Sequence, residues 1–394
     1  MKISINRNKL YKKSIFVIII LISAIMLLPP MIDRNMNPVT EHTPYQVSEK
    51  AKALHKTLII GDWHADSALW NRDLKKIYDY GHIDIPRMQK GNVALQMFTT
   101  VTKSPSGQNY DSNKESARDN ITALAIVQRW PVQTWTSLFE RAMYQANKIK
   151  RLEIDDPENF MLIESKQDLG IFLLNRSSNP TLVGGLIGTE GSHALDGDLD
   201  NIKNLYNNGF RMMSLHHFFD NKLGGSLHGT SGDGLTKFGQ QAITKMLQLN
   251  IIIDVSHSSE NVVRDVLEIS NKPIVISHTG FNGHCKSPRN ISDNLMVEIA
   301  KQGGLIAVGF WDAAVCDNTP RSVAEAIIYG VGLIGADHVA LGSDFDGTVT
   351  PAFDTSELVA ITHELLELGM NEREIHKVMG GNMLTFLQEH LPTN

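Results

Sequence analysis

Residues 251–280 read IIIDVSHSSENVVRDVLEISNKPIVISHTG, and the fold turns on how this stretch divides. Ile251–Val255 is a β-branched run too short for a buried helix, and it ends in Ser256-His257. Ser258 or Ser259 then offers a helix cap, with Glu260 in the first turn and Val262, Val263, Val266 and Leu267 on one helical face. Asn271-Lys272-Pro273 stops that helix, and Ile274-Val275-Ile276 opens a second apolar run ending in Ser277-His278. The pattern predicts strand, helix, strand. Two successive parallel strands, each finishing on a histidine, place both imidazoles on one edge of a sheet, where α/β enzymes build their sites. Ser256 and Ser277 alternate to the opposite face, as packing or supporting residues.

Similar apolar runs recur on both sides of this stretch. They cover residues 57–64, 93–98, 182–188, 210–216, 304–310 and 339–344, with helical patterns at 238–249, 292–302 and 323–334 between several of them. A mixed helical insertion, about residues 113–179, separates the second run from the third, and two helices (356–368 and 371–388) close the chain. Eight strands alternating with helices predict an α/β fold of the (β/α)8, or TIM, barrel type. The expected organisation is an N-terminal signal or anchor segment (1–32), a polar linker (33–45) and one barrel domain (46–394).

The 394 residues are 42% hydrophobic and 20% charged, enough for a large core. A formal net charge of -6, with no basic stripe in the body of the chain, argues against nucleic acid as a partner. The N-terminus differs. Lys2, Arg7, Lys9, Lys12 and Lys13 precede an apolar run from Ile15 to Leu28, which addresses the chain to an export route. No small-x-small cleavage site follows, so the expectation is an uncleaved membrane anchor with the body held outside the cytoplasm, or else a periplasmic or extracellular product. Cys285 and Cys316 are the only cysteines, open to one bridge or to two free thiols.

Most of the strand ends carry metal-binding chemistry. The first ends in His64-Ala65-Asp66, whose two side chains share a face. The third ends in Glu190, the fourth in His216-His217, the fifth in His257, the sixth in His278, and the eighth in Asp344-Phe345-Asp346. A single histidine at a strand end is usually structural, but this many imidazoles and carboxylates at one barrel mouth exceed one tetrahedral ion. They suit two metals roughly 3.5–4 Å apart, bridged by a carboxylate and a hydroxide. Such a pair acidifies water and polarises an acyl oxygen, and a carboxylate outside the ligand set moves the proton.

The HxD of His64 and Asp66, with GTEGSHAL, LHHFFDN, GLTKFG, IDVSHSS, VISHTG, RNISD and HVALGSDFDG, occurs in the order of the membrane (renal-type) dipeptidases. Over about residues 57–390 the chain resembles that family of binuclear zinc metallopeptidases of the amidohydrolase-like barrels. The resemblance implies zinc-dependent hydrolysis of dipeptides, with L,D-dipeptides and β-lactams as further substrates. It implies two Zn2+ per chain, one held by His64 and Asp66 and the other by His257 and His278, bridged by Glu190 and a hydroxide. His217 would polarise the carbonyl or hold the oxyanion, Arg289 would clamp the substrate carboxylate, and Asp344 would move the proton, with Asp346 as its stand-in. A homodimer is also implied. Mammalian members carry a cysteine after the strand-four histidine where this chain has Phe218, so their disulfide and glycolipid anchor do not carry over. His55, His82, His193, His228, His284, His338 and His363 remain structural or surface residues.

Three other readings compete. Residues 339–349, VALGSDFDGTV, match the opening motif of aspartate-nucleophile phosphatases, which belongs at the start of a Rossmann-like domain, yet only 45 residues follow. An amidohydrolase of other amides or cyclic amides could use the same barrel. An exported, non-catalytic binding protein would have to keep the ligand set without using it.

Overall fold

The computed structural model describes residues 26–393. Among the described residues nine parallel strands form: β1 (Ile60–Ala65), β2 (Val93–Val101), β3 (Phe160–Leu162), β4 (Val183–Glu190), β5 (Phe210–Ser214), β6 (Ile252–Asp254), β7 (Val275–Thr279), β8 (Leu305–Val308) and β9 (Val339–Leu341). Pairing of β1 with β9, Asp62 opposite Leu341, and of β2 with β4, Leu95 to Val101 opposite Gly184 to Glu190, closes eight of them into a barrel. The ninth, β3, belongs to the insertion and pairs with the start of β4, Phe160 opposite Val183.

Strand alternation makes two cores. Side chains turned inward (Trp63, Leu95, Met97, Leu186, Met212, Val275, Leu305 and Ala340) fill the barrel and meet Met383 and Phe386 of the last helix. Those turned outward, among them Phe98, Ile187, Met213 and Ile306, pack under the surrounding helices. The 18-residue helix Leu138–Asp155 of the insertion buries Ala142, Gln145, Ala146, Ile149 and Leu152. In the stretch that opened the sequence reading, Ser259 caps the helix Glu260–Ile269, its hydroxyl accepting from the Val262 amide at 3.1 Å. Val262, Val263, Val266 and Leu267 are buried as the periodicity predicts.

Three expectations need correction. The closing helix expected over 371–388 is broken: Glu372–His376 passes through a π turn, Lys377–Gly381, into Asn382–His390. Asn382 there donates to the carbonyls of Ala336 and Val339, tying the turn to the base of β9. Strand β6 stops at Asp254, so His257 does not lie on it; it sits in a left-handed turn at φ 59°. The third correction concerns the membrane. Among the described residues no helix is long and apolar enough to cross one. Residues 26–36 are helical but carry Asp33 and Arg34, and at 1.5 Å per residue a span needs about 20 apolar residues. This overturns the anchored expectation and, with it, the membrane as a partner; residues 1–25 of that run lie outside the described ones.

Cys285 and Cys316 form a disulfide, settling the two alternatives left open by their number.

Candidate metal centre

The ends of β1, β4 and β7 and the loops after β5, β6 and β9 converge at one mouth of the barrel. Glu190 is the last residue of β4, and its Oε1 lies 3.5 Å from Nε2 of His64, 3.4 Å from Nε2 of His217, and 3.5 Å from Nε2 of both His257 and His278. One carboxylate oxygen thus stands among four imidazoles. The Nε2 atoms of His257 and His278 are 2.8 Å apart. Asp66 Oδ1 is 3.6 Å from His64 Nε2 and accepts from the Thr99 hydroxyl at 2.6 Å; Asp344 Oδ1 is 4.0 Å from the same nitrogen. All these side chains are buried. Two groups of donor atoms emerge within 4.8 Å, His64 with Glu190, His278 and Asp344, and Glu190 with His217 and His257, and Glu190 is common to both.

The donor set fits divalent ions. Nε2 of His64 is buried without a hydrogen-bond partner, and two ring nitrogens facing each other across 2.8 Å call for a shared cation or proton. Burial holds His257 and His278 well below the ordinary histidine range, so their lone pairs are free. Burial also dominates at Asp344 and Asp66, raising the first well above the usual carboxylate range and the second to about 6, with Glu190 adding to both. Burial would raise Glu190 too, but the imidazoles, His217 foremost, hold it well below. Burial opposes a proton on His64, yet Asp66 and Glu190 raise that imidazole well above its ordinary value. Three buried carboxylates at one point make a negative site that positive charge relieves.

The structure separates residues that adjacency in sequence left ambiguous. His217 enters the cluster, with Nδ1 3.0 Å from the Lys103 carbonyl, whereas His216 turns away and places Nδ1 3.0 Å from the Ser258 hydroxyl. Asp344 belongs to the cluster, whereas Asp346 is engaged by Arg72 at 2.5 Å and accepts from the His82 amide at 2.8 Å. The DFDGT match therefore sits at the end of the last barrel strand, not at the start of a Rossmann-like domain, with its second aspartate in an ion pair. Arg289 is fully buried. Its Nη2 donates to the His278 carbonyl at 2.5 Å, its guanidinium stands 5.5 Å from the Trp311 ring, and among the described residues its Nε has no partner.

Some residues at the mouth carried no readable signal. Tyr110, in the loop after β2, receives a hydrogen bond from Trp311 Nε1 at 3.0 Å and packs beside Phe218 and His228. His228, set aside in the sequence as structural or surface, lies with its ring 5.1 Å from that of His257. Asp62 and Asp254, both inside strands, bind the serines that support the ligands: Asp62 accepts from Ser343 Oγ at 2.6 Å and Asp254 from Ser277 Oγ at 2.7 Å.

A closed parallel barrel with buried imidazoles and carboxylates set for a binuclear metal site at its mouth defines a metal-dependent hydrolase. The sequence pattern of the membrane dipeptidases, peptidase family M19, matches residues 48–391, and the chain belongs to that family. Its activity is metal-dependent hydrolysis of a dipeptide bond. The chain is 27% identical over 339 residues to Dipeptidase ataJ of Aspergillus terreus, covering 78% of this chain and 77% of that one. Its fold is similar to that of the probable dipeptidase PvdM of Pseudomonas aeruginosa, with a TM-score of 0.72 at 20% identity over 87% of this chain and 98% of the other. It is also similar to a metallopeptidase of Rhodobacter sphaeroides liganded with a phosphinate mimic of L-Ala-D-Ala, with a TM-score of 0.68 at 22% identity over 85% of this chain and 99% of the other.

Proposed function

We propose that the chain is a two-zinc exopeptidase that splits dipeptides, L,D as well as L,L. The observation that carries this reading is Glu190 Oε1 within 3.5 Å of four imidazole nitrogens from four different barrel segments. In this reading His64 and Asp66 would hold one ion and His257 and His278 the other, a division that follows the 2.8 Å approach of the last two Nε2 atoms and not the grouping of His278 with His64, and Glu190, common to both groups, would serve both ions. Nitrogen and carboxylate donors suit Zn2+. When bound, the two ions acidify a water and polarise the scissile carbonyl.

The remaining residues do the rest. Asp344, whose burial makes it a strong proton acceptor, takes the proton of the attacking water and returns it to the leaving amine. His217, its ring anchored by Nδ1 3.0 Å from the Lys103 carbonyl, turns Nε2 toward the developing oxyanion. Arg289 offers its unpaired Nε to the free carboxylate of the substrate, and Trp311 and Thr279 hold the guanidinium in place. The solved structure that carries an L-Ala-D-Ala mimic supports a D-residue at the carboxyl position.

A panel of L,L and L,D dipeptides, assayed after chelation and again after Zn2+ is returned, tests the reading. Turnover of both isomers should vanish and recover with zinc; activity that survives chelation, or recovers only with another metal, rejects it. Arg289→Ala should raise KM for dipeptides by about 1–3 kcal/mol of lost binding, roughly 5- to 150-fold, and spare substrates amidated at the carboxyl end. An equal loss on both substrates removes the clamp.

A further inference from the structure

We infer that Ser277 is a shared positioning residue, whose one hydroxyl sets the ring orientation and tautomer of a metal ligand in each half of the site. The inference rests on the two-ion reading given above.

Ser277 Oγ has four polar neighbours: Asp254 Oδ2 at 2.7 Å, His64 Nδ1 at 3.0 Å, His278 Nδ1 at 3.0 Å and Ser256 Oγ at 3.1 Å. A hydroxyl has one proton and two lone pairs, so the roles can be counted. The carboxylate of Asp254 can only accept; it already takes the amides of Ser256 and Ser277 at 2.9 and 3.0 Å and the Ser256 hydroxyl at 2.8 Å, all on Oδ1. The proton of Ser277 goes to the remaining oxygen, its shortest contact. Its two lone pairs then face two Nδ1 atoms, and each must carry a hydrogen to make the bond. His64 and His278 are thereby both held with the proton on Nδ1 and the lone pair on Nε2, the atom that approaches Glu190. The proton of Ser256 goes to Asp254 and its oxygen accepts from the His278 backbone amide at 3.3 Å, so it makes no hydrogen bond to a ring nitrogen.

The consequence is one relay, Asp254 to Ser277, serving ligands from β1 and β7. Both rings are buried, with centroids 3.8 Å apart, and among the described residues neither Nδ1 has another partner. Where a histidine ligand normally has a support of its own, here two ligands share one. Ser277→Ala should therefore weaken both metal-binding steps together.

The experiment is a Zn2+ titration of the metal-free full chain against a competing chelator, with bound metal counted by atomic emission and the fold checked by thermal melting of the metal-free protein. Wild type should bind two ions. Ser277→Ala should lose about 10- to 100-fold in affinity at both steps and shift the visible bands of the Co2+-loaded protein. Ser256→Ala removes an equally buried hydroxyl from the same carboxylate and should leave both affinities within about twofold. Asp254→Asn gives a second route should Ser277→Ala fail to fold. Its amide nitrogen turns toward Ser277, since the other side faces three donors, and the serine proton is forced onto one imidazole. One binding step should then weaken more than the other. Unchanged affinities in Ser277→Ala, a loss confined to one step there, an equal loss in Ser256→Ala, or two unaffected steps in Asp254→Asn each overturn the inference. A wild type that binds one ion overturns instead the two-ion reading on which it stands.

Discussion

Asp344 and His216 show how little separates a residue inside the cluster from one outside it. Asp344 belongs to the ligand cluster, yet its carboxylate is 4.0 Å from the nearest imidazole nitrogen, and Gly347 leaves it room: a Cβ at that glycine would collide with Asp344 Oδ1. Asp344→Asn keeps the shape and removes the base, so kcat should fall about 10²–10⁴-fold with two ions still bound. Loss of an ion along with activity would make Asp344 a ligand and not a base. His216 sits next to His217 of the cluster but is buried on the far side of the turn, and burial lowers its pKa from 6.5 to about 4. Between those values the unfolded chain binds the extra proton, so the stability His216 contributes is intact above about pH 6.5 and falls as the pH drops toward 4. One proton corresponds to about 1.4 kcal/mol per pH unit. In urea denaturation from pH 7 to 4.5, His216→Gln should flatten the slope of stability by about one proton; an unchanged slope places the acid lability elsewhere.

At the scale of elements, the segment after β9 is where the fold stores strain. Asp344, Asp346 and Thr348 all have φ between 60° and 65°, a region costly for residues other than glycine, so neighbours must hold them there. Asp346 is gripped by Arg72 and His82, and Arg72 in turn binds Asp33 at 2.8 Å. Asn37 Oδ1 accepts from the Thr348 amide at 3.1 Å while its Nδ2 donates to Asp33 at 2.8 Å. Asn37→Ala should therefore lower kcat about tenfold or more through a slack loop, with metal content unchanged; a full kcat would show that the loop holds itself. Much of the barrel was legible because a strand buried on both faces reads as an apolar run, and the residues at its end stand out against it. His257 was found, but not its left-handed turn, because β6 is shorter than the run that announces it. Ser277 was readable as a packing or supporting residue but not for which ligands it supports, and Asp254 was opaque as a support. Their partners come from β1, β6 and β7, and strand alternation gives which way a side chain leaves its own strand, not what it meets on the next. The broken closing helix was unreadable for the same reason, since Asn382 answers to carbonyls 43 and 46 residues away.

For the whole molecule, the buried carboxylates of the mouth tie stability to metal. Asp66, Glu190 and Asp344 repel one another in a site closed to solvent, and ions that bind only the folded chain stabilise it by mass action. Each ion held at a hundred times its Kd adds about 2.7 kcal/mol, so chelation should lower the thermal midpoint in step with the ions removed. A midpoint indifferent to chelator would show that the barrel carries the repulsion unaided. The clamp on the strained segment has a practical corollary for anyone trimming this chain. The region shared with the family begins at residue 48, whereas Asp33 and Asn37 lie before it. A fragment cut at that boundary keeps the whole metal-binding cluster, Arg289 and Asp344 itself, yet it loses the two side chains that brace the segment after β9. Such a fragment should turn over more slowly than the full chain at equal metal content.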